Sequence, residues 1–111
     1  LAAGALSGKY RGGQMPKTSR MTLFKGWERM INPLAMKAYD EYFKLAKECN
    51  LTMVQLAQAF VNSRPFVTSN IIGATTMEQL KENIESINIV LTDEMIDKIN
   101  LIHNNNPNPA P

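Results

Sequence analysis

The residues whose types and spacing best suit chemistry lie between Ile71 and Asn83. Gly73 ends a short β-branched and aromatic run, Phe66 to Ile72, and a helix start follows at once. Thr75 with Glu78, and Thr76 with Gln79, have the three-residue spacing of a capping box, in which a hydroxyl and a side-chain acceptor satisfy backbone N–H groups that a helix leaves free. Such groups and the positive end of the helix dipole meet at a glycine turn, an arrangement that favours a phosphate. Gln79, Glu82 and Asn83 fall on adjoining surface of the first two helical turns, above that glycine. Taken alone, Glu82 reads as part of a solvated helix face.

A second group is basic. Lys9, Arg11, Lys17 and Arg20 share a stretch with Gly12, Gly13, Pro16, Thr18 and Ser19, which argues against regular structure. One reading is a solvated surface loop. The other is a mobile clasp over an anionic ligand, with Lys9 or Arg20 supplying charge and Arg20 able to bond it bidentately. Cys49 closes an apolar helical stripe and reads as a small core residue, because no activating partner is visible for its thiol. His103, at or beyond the end of the last helix, reads as a partner for the helix dipole with no metal site around it.

The elements that must position these residues follow from periodicity. Leu1 to Tyr10 reads as a strand end passing into a loop. Leu23, Phe24, Trp27, Met30 and Ile31 are spaced for one face of a short helix under that loop, with Trp27 in the core. Asn32-Pro33 starts a helix that carries Ala35, Ala38, Tyr42, Leu45 and Cys49 and ends near Asn50. Thr52 with Gln55 caps the next, whose stripe is Met53, Leu56, Ala57, Phe60 and Val61 and which Pro65 ends. Phe66 to Ile72 reads as a strand. The helix after Gly73 presents Met77, Leu80, Ile84 and Ile87 inward, and Thr92-Asp93-Glu94 starts a last helix with Met95, Ile96, Ile99 and Ile102 on its apolar face.

Composition bounds the functions available. The 111 residues, 44% hydrophobic and 20% charged, are ordinary for one domain, and a net charge of +2 is too small to imply a nucleic-acid or membrane partner. No apolar run approaches a membrane span. One cysteine excludes an internal disulfide and fits a reducing cytoplasm. The start at Leu1, without an initiator methionine, is what a trimmed or partial product would show. The order strand or loop, helix, helix, strand, helix, helix contains two strands separated by helices. A parallel sheet needs more neighbours than that, so the pattern resembles a piece of a larger α/β barrel or doubly wound fold.

Four segments in register carry a family resemblance: Leu1 to Tyr10, the Ser19-Arg20 pair, Ser63-Arg64-Pro65-Phe66-Val67, and Ile72 to Asn83. Together they resemble the C-terminal part of the aldo-keto reductases, in the bacterial branch related to potassium-channel β-subunits, and residues 108–111 are similar to that branch as well. The resemblance implies a (β/α)8 TIM barrel. Residues 1–111 would form its C-terminal portion, mostly helical with about two short strands. It implies an NADPH-dependent oxidoreductase that reduces aldehydes or ketones to alcohols. By position, Leu1, Ala2 and Ala3 match residues near the nicotinamide and pyrophosphate of NADP(H), and Lys9 and Arg20 match the loop over the pyrophosphate and adenosine. Gly73 and Thr75 match the turn after the last strand, Gln79 the position facing the 2′-phosphate, and Glu82 with Asn83 the pair that contacts adenine, which reverses the solvated reading of Glu82. Many members carry lysine where Gly73 stands and arginine where Gln79 stands, whereas this branch shares the neutral pattern. The family's catalytic tyrosine, aspartate, lysine and histidine come from the first half of the barrel. None of Tyr10, Tyr39, Tyr42 or His103 matches them, so no catalytic residue is expected here. The alternatives are a non-enzymatic nucleotide-sensing or regulatory subunit, or an inactive helical module that self-associates through its apolar faces.

Overall fold

The computed structural model describes residues 1–110. Its largest element is α2 (Pro33–Glu48), and both ends are written in local chemistry. Asn32 caps the start, its Oδ1 accepting from the N–H groups of Leu34 and Ala35 at 2.9 and 3.0 Å, and Pro33 occupies the first helical position, where a missing N–H costs nothing. At the far end Asn50 takes a left-handed conformation (φ 54°). Its N–H and that of Leu51 then bond back to the carbonyls of Lys47 (3.1 Å) and Ala46 (2.8 Å), which closes a Schellman motif and turns the chain toward α3.

Helix α3 (Met53–Asn62) opens with the capping box read from sequence: Thr52 Oγ1 accepts from Gln55 N–H at 3.0 Å and Gln55 Oε1 accepts from Thr52 N–H at 2.9 Å. Helix α4 spans Met77–Glu85 and α5 spans Asp93–Asn105, with Thr92 capping α5 through Met95 N–H. A four-residue helix, α1 (Arg20–Leu23), and 3-10 turns at Ala2–Ser7, Arg11–Gly13, Glu28–Ile31 and Ser86–Asn88 complete the regular structure.

The core lies where α2 meets α5 and α3. Ala35, Ala38 and Ala46 let the helices approach, and Leu45, Leu56 and Ile99 fill the space between them. Burying each of the larger side chains contributes about 1.5–3 kcal/mol. Tyr10, only 2% exposed, brings the N-terminal segment into the same core. The tail is tied back by polar bonds: Asn32 Nδ2 donates to Pro109 O at 2.8 Å, and Asn106 Nδ2 donates to Glu41 Oε2 at 3.1 Å.

Three sequence expectations are corrected. First, there is no strand among the described residues, so the two short strands of the α/β expectation are absent. Residues 66–72 run as turns and irregular chain, and Phe66 and Ile71 are 82% and 94% exposed. A strand exists only through hydrogen bonds to a neighbour, and a β-branched run with no partner has nothing to pair with. Residues 1–7, read as a strand end, form the 3-10 turn instead. Second, residues 21–32 make no continuous amphipathic helix. Leu23 and Phe24 are exposed, Trp27 is half-buried outside the core, and Gly26 at φ 92° separates α1 from the turn at Glu28–Ile31. Third, the apolar stripe expected after Gly73 is mostly not buried: Met77 and Ile84 of α4 and Ile87 in the 3-10 turn that follows are exposed, Leu80 is half-buried, and Asn83 and Ser86 are buried.

Candidate functional site

At the start of α4, Thr76 is the cap and its Oγ1 accepts from Gln79 N–H at 3.2 Å. The Gln79 carboxamide reaches back one residue further than a capping box requires: its Oε1 accepts from the Thr75 N–H at 3.0 Å and from the Thr75 hydroxyl at 3.2 Å. Glu78 does not pair with Thr75. Its carboxyl is bonded by its own backbone N–H and by the Thr76 hydroxyl, which hold its pKa below the usual carboxylate value. Thr75, Gln79 and Gly73 are all exposed. Gly73 is not in the left-handed region, and a Cβ there would meet nothing within 4 Å. Glycine is therefore not demanded by the turn itself, and its absent side chain leaves the backbone open to close approach.

The neighbouring pair divides. Glu82 is half-buried, and its Oε1 accepts from the Thr52 hydroxyl at 2.6 Å, which ties α4 to the cap of α3. Asn83 is 5% exposed and does not share the surface expected for it beside Gln79 and Glu82. Its Oδ1 accepts from Gln58 Nε2 at 3.2 Å, and its Nδ2 donates to the Gly73 carbonyl at 3.2 Å.

The second cluster is N-terminal. Ala2, Ala3 and Gly4 have φ of 47°, 55° and 92°, and their turn is closed by the Gly4 N–H on the Leu1 carbonyl at 2.9 Å. Left-handed alanines are uncommon because Cβ crowds the backbone there. Lys9 folds back over this turn, so that a Cβ on Gly4 would lie 2.7 Å from its Cε and 2.8 Å from its Nζ. The structure thus places Lys9 against Gly4 of the turn that Ala2 and Ala3 open. Arg20 stands apart, exposed, with its guanidinium 5.5 Å from the Trp27 ring centre and Phe24 beside it. Arg11, read as a loop cation, is fixed to α2: Nε donates to Asp40 Oδ1 at 2.8 Å and the guanidinium stacks 3.4 Å from the Phe43 ring centre.

Among the described residues no hydrogen bond or ion pair joins residues 1–24 to residues 73–83. A cavity of about 250 Å³ borders the N-terminal segment, with Leu1 and Leu6 on one side and Gln58 and Asn70 on the other, and none of residues 73–83 lines it. No group of metal-ligating side chains occurs among the described residues, and no helix is long and apolar enough to cross a membrane. Gln58, Asn62, Asn70, Ser86 and Thr52 complete the surroundings of the α4 turn; sequence reasoning read Thr52 only as the cap of α3 and passed over the other four. The available signal was spacing: Gln58 and Asn62 are four apart on α3, so they share a face beside its apolar stripe.

The model of the aldo/keto reductase family matches residues 1–104. The chain belongs to the aldo/keto reductase family. Along its whole length it is 40% identical to protein Tas of Escherichia coli, of which it covers 32%. It is 33% identical over 113 aligned residues to a probable voltage-gated potassium channel subunit beta of Oryza sativa, with 96% of this chain and 34% of that protein covered. An aldo-keto reductase of Babesia bovis is 35% identical over 108 residues, covering 93% of this chain and 38% of that protein. The chain therefore spans about a third of the length of the aldo/keto reductase relatives it matches. That family's parent fold is a TIM barrel, and its members typically use NAD(P)H.

Proposed function

We propose that the chain is the C-terminal, cofactor-holding part of a cytoplasmic aldo-keto reductase barrel that reduces aldehydes or ketones with NADPH. The observation that carries this reading is the exposed start of α4, where Thr75 and Gln79 sit at the positive end of a helix beside an unobstructed Gly73. Gln79 Oε1 now holds the Thr75 N–H, the place an anionic oxygen would take, and it yields that donor to the 2′-phosphate of the nucleotide. Glu82 faces the adenine. Lys9, with Leu1, Ala2 and Ala3, supports the pyrophosphate end, and Arg20 adds charge from its loop. NADPH supplies the hydride when bound, and residues elsewhere in the parent barrel supply the proton to the carbonyl. The 111-residue chain alone binds part of the nucleotide and turns over no substrate.

The likeness to channel β-subunits supports a second reading, in which the same nucleotide site serves sensing or regulation without turnover. Titration of the native polypeptide, sized by intact mass, with NADPH and NADH tests both. Saturable NADPH binding with aldehyde turnover supports the reductase, and binding without turnover supports the sensor. Binding of neither dinucleotide refutes the site.

A further inference from the structure

Lys9, Tyr10 and Arg11 send three consecutive side chains in three directions. Lys9 lies against Gly4 of the N-terminal turn, Tyr10 is buried in the core, and Arg11 is held on α2. The seat on α2 is made by Asp40 and Phe43, three residues apart and therefore neighbours on the helix surface. Asp40 Oδ1 accepts from Arg11 Nε at 2.8 Å, and the Phe43 ring centre lies 3.4 Å from the guanidinium carbon. Beyond Arg11 the chain runs out into solvent: Gly12 and Gly13 have φ of 64° and 77°, and residues 12–18 are all exposed. It returns at Ser19, 4% exposed, and the Tyr10 hydroxyl accepts from the Met21 N–H at 3.4 Å, so that Tyr10 joins both ends of the loop.

We infer that Arg11 is a positioning residue of the nucleotide site: its seat on Asp40 and Phe43 holds the chain so that Lys9 meets the turn at Gly4, and it confines movement of the loop to residues 12–18. This inference rests on the nucleotide reading above. An ion pair whose side chains are 33% and 50% exposed is weak by itself, because water screens it and two side chains must be ordered. The stack adds attraction between the guanidinium and the ring face, and it fixes the guanidinium plane so that the Nε–H stays aimed at Asp40. Two turns pass that constraint along the backbone. The Arg11 N–H bonds the Gly8 carbonyl at 3.1 Å, which places residue 9 inside a turn that Arg11 closes, and the Gln14 N–H bonds the Arg11 carbonyl at 3.3 Å. Gly8 is itself confined, at φ 80° with Met53 Sδ 3.2 Å from where a Cβ would stand. Lys9 and Arg20 thus sit on anchored chain at the two feet of the loop, and Lys17 is the cation that the loop itself carries.

The test sets positioning against simple charge. NADPH is titrated against the native polypeptide, its Asp40→Asn, Phe43→Leu and Lys9→Met forms, and Lys9→Met combined with Asp40→Asn. Asp40→Asn removes a negative charge, which by long-range electrostatics alone would tighten a polyanionic nucleotide. Positioning predicts the opposite sign: binding about three- to fivefold weaker in Asp40→Asn and in Phe43→Leu, the worth of a half-exposed pair or stack. On the Lys9→Met background Asp40→Asn weakens binding no further, because the clamp acts through Lys9. Unchanged or tighter binding in Asp40→Asn, or a loss that adds in full to that of Lys9→Met, overturns the inference. Hydrogen exchange separates the clamp from general loosening. The amides of Arg11 and Gln14 should exchange about three- to fivefold faster in Asp40→Asn and in Phe43→Leu while that of Met21 is unchanged. Exchange unchanged at Arg11 and Gln14, or raised equally at Met21, refutes the clamp. Should Phe43→Leu lose helix content, Asp40→Asn, a change at a half-exposed side chain, carries the test alone. Should the unaltered protein bind no NADPH, the nucleotide reading fails, and the same exchange measurement decides the clamp.

Discussion

Replacing Tyr39 by phenylalanine should stabilise the chain. Tyr39 is 5% exposed on α2, and its hydroxyl has no hydrogen-bond partner among the described residues. Burying an unsatisfied polar group costs about 1–3 kcal/mol, and Phe keeps the ring packing while removing the oxygen, so the expected gain is about 1 kcal/mol. For a chain of this size that is roughly 4 °C in melting temperature. The effect must also depend on pH. Burial raises the Tyr39 pKa above its ordinary value of 10.0. The folded form therefore stays neutral while the unfolded form ionises, and the stability held below pH 10 is lost as pH rises toward the folded pKa. Phe at this position cannot ionise, so the gap between variant and parent widens above pH 10. Tyr42, raised by burial and by Glu41, leaves an alkaline limb in both. Urea unfolding at pH 7 and at several values up to 11 measures this directly. A variant destabilised at pH 7, or a difference that does not change with pH, would refute the reasoning.

Three further outcomes are expected. Thr52→Ala removes the acceptor for Gln55 N–H and the donor to Glu82, and should cost about 1–2 kcal/mol in urea unfolding, with Thr52→Ser recovering most of it. Glu78, whose folded pKa lies below its ordinary 4.5, contributes stability that is present above that value and lost as pH falls through the folded pKa; Glu78→Gln should flatten that part of an acid titration followed by circular dichroism. The outward stripe of Met77, Ile84 and Ile87, at 73%, 57% and 68% exposed, should drive concentration-dependent association of the 111-residue chain. Sedimentation should show Ile84→Glu with Ile87→Glu as a monomer, and unchanged association in that variant would rule this edge out.

The features legible in the sequence were those decided within a few residues. Asn32-Pro33, Thr52 with Gln55, and Thr92 each act on N–H groups two or three positions away, and each caps its helix as expected. The apolar stripes of α2 and α5 were legible because each has a large neighbouring surface to bury them, as Leu45 and Ile99 show. What failed depended on distant partners. Residues 66–72 have the composition of a strand, but pairing is supplied by another segment, and none among the described residues pairs with them. Helix α4 carries an apolar stripe by periodicity, yet Asn83, and Ser86 just past the helix, are buried and bonded to Gln58 and Asn62 of α3, which no count along residues 77–87 contains. The site was legible in the same measure. Thr75, Thr76 and Gln79 meet as local spacing suggests, while Asn83 changes from a surface group to a buried strut because its partners lie 25 and 10 residues away.

The central claim is that one nucleotide bridges the start of α4 and the turn under Lys9. Hydrogen exchange of the native polypeptide with and without NADPH tests it most directly, because it reports which backbone segments the ligand covers. Protection should appear together at residues 1–9 and 73–82, with a smaller effect near Arg20. Saturating NADPH that leaves both segments unprotected would contradict the claim.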